Sequence, residues 1–257
     1  MLLLLDMHAH IELNIAPSEL DRLGACVVAV TRSLTEYDEA SRRDDRSVVW
    51  GVGCHPGLAR AAQSFSREVF RASLAAAAVV GEVGLDGSAK VPLATQQAVF
   101  DEVIGVLVEV PRLVSVHSYR ATDRVLATIK QHRPKGVVLH WWLGDERETS
   151  CAVALGAYFS VNASQVGKWP ALRVVPKDRL LTETDHPFGD RREAAPRRPG
   201  NIGFVERRLS EALGVCPDEL RHLAWQNLGR LVDDLRLHDL LPHRFQVQLL
   251  ASREQGR

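Results

Sequence analysis

The sequence predicts an α/β protein folded as a (β/α)8 TIM barrel. Eight short apolar runs, several of them rich in valine, alternate along the chain with stretches whose pattern is helical. Alternating strands and helices are typical of a parallel sheet, and eight such units can close into a barrel. A second observation supports the barrel, because six of the eight runs lead into a side chain that can bind a metal ion or a phosphate.

The predicted strands are short and apolar, as in a parallel sheet that is buried on both faces. They cover residues 2–5, 25–31, 48–53, 78–81, 113–116, 136–139, 157–161 and 179–182. The clearest helical patterns cover residues 95–110, 121–132, 202–213 and 218–235. Pro217 followed by Asp218 and Glu219 is a typical helix start.

One barrel domain is expected over residues 1–257, since no linker or low-complexity segment interrupts the chain. A hydrophobic content of 46% fits a sizeable core. Residues 242–257 have weak periodicity, and we expect this tail to be frayed.

The composition bounds the partners and the compartment. Lysine plus arginine and aspartate plus glutamate both number 32, so no global basic field favours nucleic acid and any such contact needs a local patch. The four cysteines lie far apart without a CxxC pair, which fits reduced thiols. The N-terminal apolar run is too short for a signal peptide, and no segment reaches membrane-spanning length. We therefore expect a cytoplasmic protein that does not bind membranes.

The stretch LLLLDMHAH at residues 2–10 introduces the candidate site. Residues at i and i+2 of a strand point to the same face, so Asp6, His8 and His10 can enter one space. Strand ends in a barrel converge on one mouth. The residues expected at this mouth are Asp6, His8, His10, His55, Glu82, His117, His140, Glu183 and Asp185.

Neutral imidazoles and carboxylates together are typical ligands of zinc, manganese and other first-row ions, and carboxylates also bind magnesium. The set exceeds the needs of one ion, which favours two divalent metal ions (Mg, Mn or Zn). We assign His8, His10 and Asp185 to one ion, His117 and His140 to the other, and Glu82 as the bridge between them. Two metals about 3.5–4 Å apart can activate a water and stabilise the attacking and leaving oxygens of a phosphoryl displacement.

The same residues resemble the TatD-family metal-dependent deoxyribonucleases, over about residues 1–235. The motifs that carry the resemblance occur in family order and each closes a predicted strand: DMHAH (6–10), GCHP (53–56), GEVGLD (81–86), VHSYR (116–120), LHWW (139–142) and TETDHPF (182–188). The resemblance implies a metal-dependent hydrolase of the amidohydrolase-like superfamily and the metal assignments above. It also implies that His55 lies near the phosphate, so His55, Glu82 and Asp185 are the candidate catalytic residues.

Within this family, GEVGLDG, LHWW and LTETDHPF look closest to the TatD-like subunits of the Qat anti-phage defence systems. The resemblance therefore implies antiviral defence and partner proteins of a Qat-type system. The chain also departs from the family: Gly87 and Ser88 follow GEVGLD in place of aromatic residues, and Trp141 replaces the usual cysteine. The family's Glu-Asn pair after strand eight appears only as Pro-Gly-Asn at residues 199–201.

Several roles stay open at this point. Asp6 is either a metal ligand or a residue that orients a histidine, and Asp86 is either a loop residue or a weak ligand of an extra metal. Glu183 is expected to point away from Asp185 and to play a supporting role. His186 is either a contact in the pocket or a solvated loop residue.

The segment GDRREAAPRRPG at residues 189–200 leaves the predicted mouth and carries Arg191, Arg192, Arg197 and Arg198. These arginines can grip a phosphodiester backbone, although such a run is also typical of a solvated loop. Trp141 and Trp142 follow a candidate ligand and can stack on a base, although one of them can equally pack under a loop. Trp141 is the one taken as a substrate contact.

The leading hypothesis is a metal-dependent phosphodiesterase, a 3′–5′ DNA exonuclease or a small-nucleotide hydrolase. The alternatives are an amidohydrolase that acts on a C–N or acyl bond through the same water, and a defence-complex subunit whose assembly role dominates. Arginines at the mouth favour phosphate. The expected substrate is DNA or a nucleotide phosphodiester.

Overall fold

The computed structural model describes residues 1–191 and 197–254. Its centre is a barrel of eight parallel strands, which confirms the predicted fold class. The strands are β1 (Leu4–Ala9), β2 (Ala25–Val30), β3 (Val48–Gly51), β4 (Val79–Gly84), β5 (Leu113–His117), β6 (Val137–His140), β7 (Tyr158–Val161) and β8 (Leu180–Thr182).

The eight strands form two parallel sheets that meet at two seams. Strands β1 to β3 form one sheet and β4 to β8 the other. A bridge between Val52 and Val80 joins β3 to β4. At the other seam, the Thr182 hydroxyl donates to the Leu5 carbonyl at 2.6 Å, and the Asp185 N–H donates to the His8 carbonyl at 2.8 Å. These contacts close the barrel.

Helices surround the barrel. They are α1 (Pro17–Asp21), α2 (Leu34–Ala40), α3 (Ala59–Gln63), α4 (Arg67–Ser73), α5 (Leu93–Glu109), α6 (Thr122–His132), α7 (Glu146–Ala154), α8 (Gly203–Leu213), α9 (Pro217–Leu235) and α10 (His243–Glu254). Local sequence fixes several of their ends. At α7, for example, the Asp145 carboxylate accepts from the Glu148 N–H while the Glu148 side chain accepts from the Asp145 N–H, which satisfies two donors at the helix start.

The period of two along each strand separates two layers of core. In β2, Ala25, Val27 and Ala29 pack towards the outer helices, whereas Cys26 and Val28 belong to a second cluster to which every strand contributes. Residues of α9 and α10 join this second cluster beside the first residues of the strands. They close the N-terminal end of the barrel, so the opposite end is left for the site.

The strand boundaries of β1 and β4 differ from the prediction. Strand β1 begins at Leu4 and continues to Ala9, so Asp6 and His8 lie inside the strand rather than after it. Strand β4 likewise continues to Gly84 and contains Glu82. Parallel pairing with β2 and β5 extends through these polar residues, and the register shifts on the way. Apolar content alone therefore ended both predicted strands too early.

The expectation of a frayed tail over residues 242–257 is wrong for its described part, because His243–Glu254 forms α10. Phe245 and Leu249 are fully buried, and Phe245 meets Trp225 of α9 edge to face at 6.0 Å between ring centroids. Full burial of such side chains contributes about 1.5–3 kcal/mol each. These two buried side chains therefore hold α10 in place, although its hydrophobic periodicity is weak. Residues 255–257 lie outside the described residues.

Over residues 1–191 and 197–254, no helix is both long enough and apolar enough to cross a membrane. The cytoplasmic location and the single-domain organisation stay predictions.

Candidate active site

A cavity of about 620 Å³ opens at the C-terminal ends of the strands. It contains most of the side chains expected at the mouth, contributed by strands on both sides of the barrel. The residues that line it are His10, His55, Glu82, Asp86, Ser88, His117, Tyr119, His140, Trp141, Leu143, Asp185, Phe188 and Arg191.

His8 lies at the floor of this site and is completely buried. Its Nδ1 is 2.7 Å from the Ser115 hydroxyl, while its Nε2 lies 4.0 Å from Glu82 Oε2 and 3.7 Å from Asp185 Oδ1. A partner on one ring nitrogen fixes the orientation of the ring and leaves the other nitrogen for a metal. Sequence reasoning missed Ser115, although its place two residues before His117 on β5 puts both on one face.

Glu82 divides its carboxylate between two groups of histidines. Its Oε1 lies 2.6 Å from His117 Nδ1 and 2.9 Å from His140 Nε2. Its Oε2 lies 3.4 Å from His10 Nε2 and 3.3 Å from His55 Nε2. Burial acts to raise the pKa of Glu82, but the surrounding histidines hold that pKa well below its usual value. The carboxyl is therefore ionised.

The structure brings all six expected metal ligands together. Ligand atoms of His8, His10 and Asp185 lie within 4.8 Å of one another, as do those of His8, Glu82 and His140. His117 Nδ1 lies 3.1 Å from His140 Nε2, beside the same Glu82 oxygen. The first group matches the residues assigned to one ion, and Glu82 faces both groups. The division of ligands between two ions stays a prediction.

The unpartnered atoms of this cluster fit a divalent cation. His8 Nε2 and Glu82 Oε2 are buried and have no hydrogen-bond partner among the described residues. Ligands that each lie about 2.1 Å from one ion are roughly 3–3.5 Å apart, and the distances of 3.4–4.0 Å from Glu82 Oε2 to His8 and His10 are close to this range. The donor set is the one that divalent metals prefer.

The electrostatics of the cluster agree with this fit. Burial lowers the pKa of His8 well below its usual value, so its imidazole is neutral, which is the form that binds a metal. Burial also raises the pKa of Asp185 well above its usual value, and the neighbouring Glu183 and Glu82 carboxylates add to this. A cation would relieve this repulsion.

Asp6 supports the site without joining the ligand cluster. Its two oxygens accept hydrogen bonds from the Thr184 N–H (2.8 Å), the Thr184 hydroxyl (2.7 Å) and the Gly200 N–H (2.7 Å). Burial, only partly offset by these bonds, raises the pKa of Asp6 to about 7. Asp6 therefore holds the loop that carries Asp185. Thr184 and Gly200 were missed because their partner is distant in sequence.

Glu183 contacts β7 and the residues that follow β6 and β7. Residues two positions apart share a face only within a strand, and β8 ends at Thr182, before both Glu183 and Asp185. Glu183 is completely buried and accepts hydrogen bonds from the Trp141 N–H (3.0 Å), the Asn162 amide (3.0 Å) and the Ser160 hydroxyl. Trp141 and Asp185 both have positive φ, 40° and 45°. Such backbone conformations are costly for residues other than glycine and persist where the surroundings impose them. Glu183 helps to impose the one at Trp141.

The remaining polar residues take different places. His55 Nδ1 accepts from the Gly57 N–H at 2.9 Å, so His55 stabilises a turn and also faces Glu82. Asp86 lines the cavity, with Oδ2 3.6 Å from His117 Nε2. His186 pairs with buried Asp190 at 2.6 Å and is absent from the cavity lining.

The predicted substrate contacts are only partly at the cavity. Arg191 lines it and lies over the Phe188 ring, 5.3 Å from the centroid. Arg197 and Arg198 are exposed and do not line it, and Arg192 lies outside the described residues. Of the two tryptophans, Trp141 lines the cavity, whereas Trp142 is buried and donates to the Thr149 hydroxyl at 3.0 Å.

A closed barrel with a cluster of histidines and carboxylates at the carboxyl ends of its strands defines the class of the protein, a metal-dependent hydrolase. The family model of the TatD related DNases matches residues 5–233. The chain belongs to this family. It is thus an enzyme of a nuclease family, whose reaction is the hydrolysis of phosphodiester bonds.

Individual relatives agree. The chain is 33% identical over 197 residues to the 3′-5′ ssDNA/RNA exonuclease TatD of Cronobacter sakazakii, covering 70% of this chain and 75% of that protein. It is 30% identical over 239 residues to the metal-dependent hydrolase YcfH of Escherichia coli K12, covering 83% and 86%. The fold is similar to that of YJJV, a TatD homolog from Escherichia coli K12, with a TM-score of 0.75 at 21% identity, covering 88% of this chain and 97% of that one.

Proposed function

We propose that the protein is a 3′–5′ exonuclease that removes nucleotides from the end of a DNA strand. The position of Glu82 between two groups of histidines at the base of an open cavity carries this proposal. A carboxylate shared in this way suits two divalent ions. When bound, such ions supply Lewis-acid charge that activates a water and stabilises the phosphate oxygens during displacement.

The residues then divide the work. His8, His10 and Asp185 would hold one ion, His117 and His140 would hold the other, and Glu82 would serve both. His55 binds the scissile phosphate at the edge of the cavity, since its Nε2 lies only 3.3 Å from Glu82 Oε2 and 23% of its side chain is exposed.

The nucleic acid itself is contacted farther out in this proposal. Trp141 stacks on a base, and the arginine segment grips the backbone through Arg191, Arg192, Arg197 and Arg198. Arg191 has the best support, because it lines the cavity.

The test is a panel of substrates and metals. Purified protein would be incubated with single-stranded DNA, duplex DNA, RNA and a small amide substrate, each with Mg²⁺, Mn²⁺ or Zn²⁺. DNA labelled at the 5′ end should shorten stepwise from its 3′ end. Turnover of the amide alone would favour the amidohydrolase alternative, and internal cuts or shortening from the 5′ end would contradict the exonuclease polarity. Glu82→Gln, assayed in parallel, identifies activity that comes from a contaminating nuclease.

A role in anti-phage defence, with partner proteins of a Qat-type system, is part of the proposal and rests on the motifs GEVGLDG, LHWW and LTETDHPF. Deletion of the gene that encodes the protein should raise the efficiency with which phage form plaques on the natural host. Complementation with wild type, but not with Glu82→Gln, would show that hydrolysis is required. Equal complementation by both would favour an assembly role instead.

A further inference from the structure

Four large side chains form a collar around the mouth of the cavity, which we name the aromatic rim: Tyr119, Trp141, Leu143 and Phe188. Three of them are unusually exposed for their type, at 43% for Tyr119, 45% for Leu143 and 45% for Phe188. Single exposed apolar residues are ordinary, but a group of them around a cavity indicates a binding surface. All four line the cavity that contains the metal-ligand cluster.

An arginine side chain lies over each of two rings of the aromatic rim. The Arg120 guanidinium lies 5.4 Å from the centroid of the Tyr119 ring, and the Arg191 guanidinium lies 5.3 Å from that of Phe188. A guanidinium is planar and stacks on aromatic faces, and it brings positive charge beside the ring. Each pair thus combines a flat apolar surface with a cation, which suits a base joined to a phosphate.

The rings are held close to the reacting centre. Phe188 meets His10 edge to face, with ring centroids 5.5 Å apart and an angle of 82° between the planes. Its N–H donates to the Asp185 carbonyl at 2.6 Å. The Tyr119 carbonyl accepts from the Gly87 N–H at 2.7 Å, and a Cβ at Gly87 would overlap the Arg120 carbonyl oxygen. Glycine at this position therefore allows the two loops to meet.

We propose that the aromatic rim stacks the unpaired bases at the end of a single strand and holds that end over the metal site. This inference rests on the proposed nuclease function. A base inside a duplex is held by its pairing partner as well as by its stacked neighbours, so the rim should favour unpaired ends. Stacking also uses the face that every base has, so cleavage should depend little on base identity.

The experiment compares substrates that lack their terminal bases with variants that lack one ring of the aromatic rim. One oligonucleotide has ordinary bases, and a matched one has abasic residues at its last two 3′ positions, which keeps every phosphate. For the wild-type protein, kcat/KM should be about ten-fold higher on the ordinary strand than on the abasic strand. Most of this difference should come from a lower KM. In Tyr119→Leu and Phe188→Leu, which stay apolar but lose the ring, this ratio should fall towards one. Leu250→Ala, which trims an exposed apolar side chain on α10, should keep the wild-type ratio.

The outcomes separate the two proposals. If wild type cleaves the ordinary strand but both ring variants keep its ratio, the stacking inference is wrong, the nuclease function stands, and the rim is left for a protein partner. If a variant loses the same factor on both strands together with bound metal, the ring shapes the metal site and the inference is again wrong. If wild type cleaves neither strand with any metal, the proposed function fails and takes this inference with it.

Discussion

Glu183 accepts a hydrogen bond from the backbone N–H of Trp141 at 3.0 Å, which ties the end of β8 to the loop that leaves β6. The bond fixes Trp141 in its left-handed conformation just after the candidate ligand His140. A buried carboxylate outside the candidate ligand set therefore shapes both the mouth and the course of the chain beside the ligand cluster.

Replacing Glu183 with alanine should destabilise the fold. The change leaves three donors without their acceptor, the half-buried N–H of Trp141 and the buried groups of Asn162 and Ser160. Each lost partner costs about 1–3 kcal/mol, so the free energy of unfolding should fall by roughly 3 kcal/mol or more in urea titrations. Glu183→Gln should lose less, because its carbonyl still accepts and the Ser160 hydroxyl can turn to accept from its amide. Equal losses in both variants would argue against the hydrogen bonds as the cause.

Replacing Glu82 with glutamine should abolish turnover, since a neutral amide cannot balance two cations as a shared carboxylate does. The loss of several kcal/mol of charge stabilisation corresponds to a fall in kcat/KM of at least about a thousand-fold. Steady-state rates at saturating metal give the measurement, with Glu211→Gln on the exposed face of α8 as the matched control. Near-parental activity would remove Glu82 from the mechanism.

The second group of histidines can be tested through metal content. The double change His117→Ala and His140→Ala should leave a folded barrel with about half the bound metal, because both side chains lie at the mouth and neither belongs to the apolar core. Elemental analysis and circular dichroism report the two properties separately. The control pair, His132→Ala and His222→Ala on outer helices, should keep the parental stoichiometry. Undiminished metal in the first double variant would refute the assignment of the second ion.

Removal of the metals should lower the melting temperature, because the buried Glu82 and Asp185 carboxylates lose their counter-charge. Metal at a hundred times its dissociation constant stabilises the folded state by about 2.7 kcal/mol, and each kcal/mol moves the midpoint of a domain this large by about 2–4 °C. Chelation should therefore shift it by roughly 5–10 °C. The shift should be smaller in a His8→Ala, His10→Ala variant. An unchanged midpoint in wild-type protein shown to be free of metal would contradict the prediction.

The strand order and the candidate ligands could be predicted from the sequence, because each depends on a local rule. His117 and His140 each follow a short apolar run, and barrel topology brings the ends of such runs together whatever their separation along the chain. Neither inference requires knowledge of side-chain packing.

The supporting contacts could not be predicted, because they depend on tertiary packing. Nothing local marks Ser115 as the partner of His8, or Thr184 as that of Asp6. Trp141 and Trp142 are chemically identical neighbours, and only the positive φ of the first, together with the buried pocket around the second, separates their roles. The exposure of Phe188 beside His10 likewise depends on the path of the loop after β8.

The arginine segment gives the last prediction. If Arg191, Arg192, Arg197 and Arg198 contact the nucleic-acid backbone, replacing all four with alanine should weaken DNA binding and flatten its dependence on salt. Each phosphate contact that is lost should reduce the slope of log affinity against log salt by about one. Cleavage of a small phosphodiester dye should persist, since the ligand cluster is unchanged. Fluorescence anisotropy over a range of salt concentrations measures the slope.

A matched control separates local contacts from net charge. It removes the same number of positive charges from exposed positions on or beside the outer helices, Arg124, Arg133, Arg230 and Arg236. This variant should keep nearly the parental slope, because salt screens the attraction between a phosphate and an exposed charge more than about 10 Å away. Equal flattening in both variants would mean that the overall field, and not the segment, attracts DNA. Equal losses on the dye and on DNA in the first variant would mean that the segment shapes the ligand cluster, since the dye is too small to reach beyond the mouth.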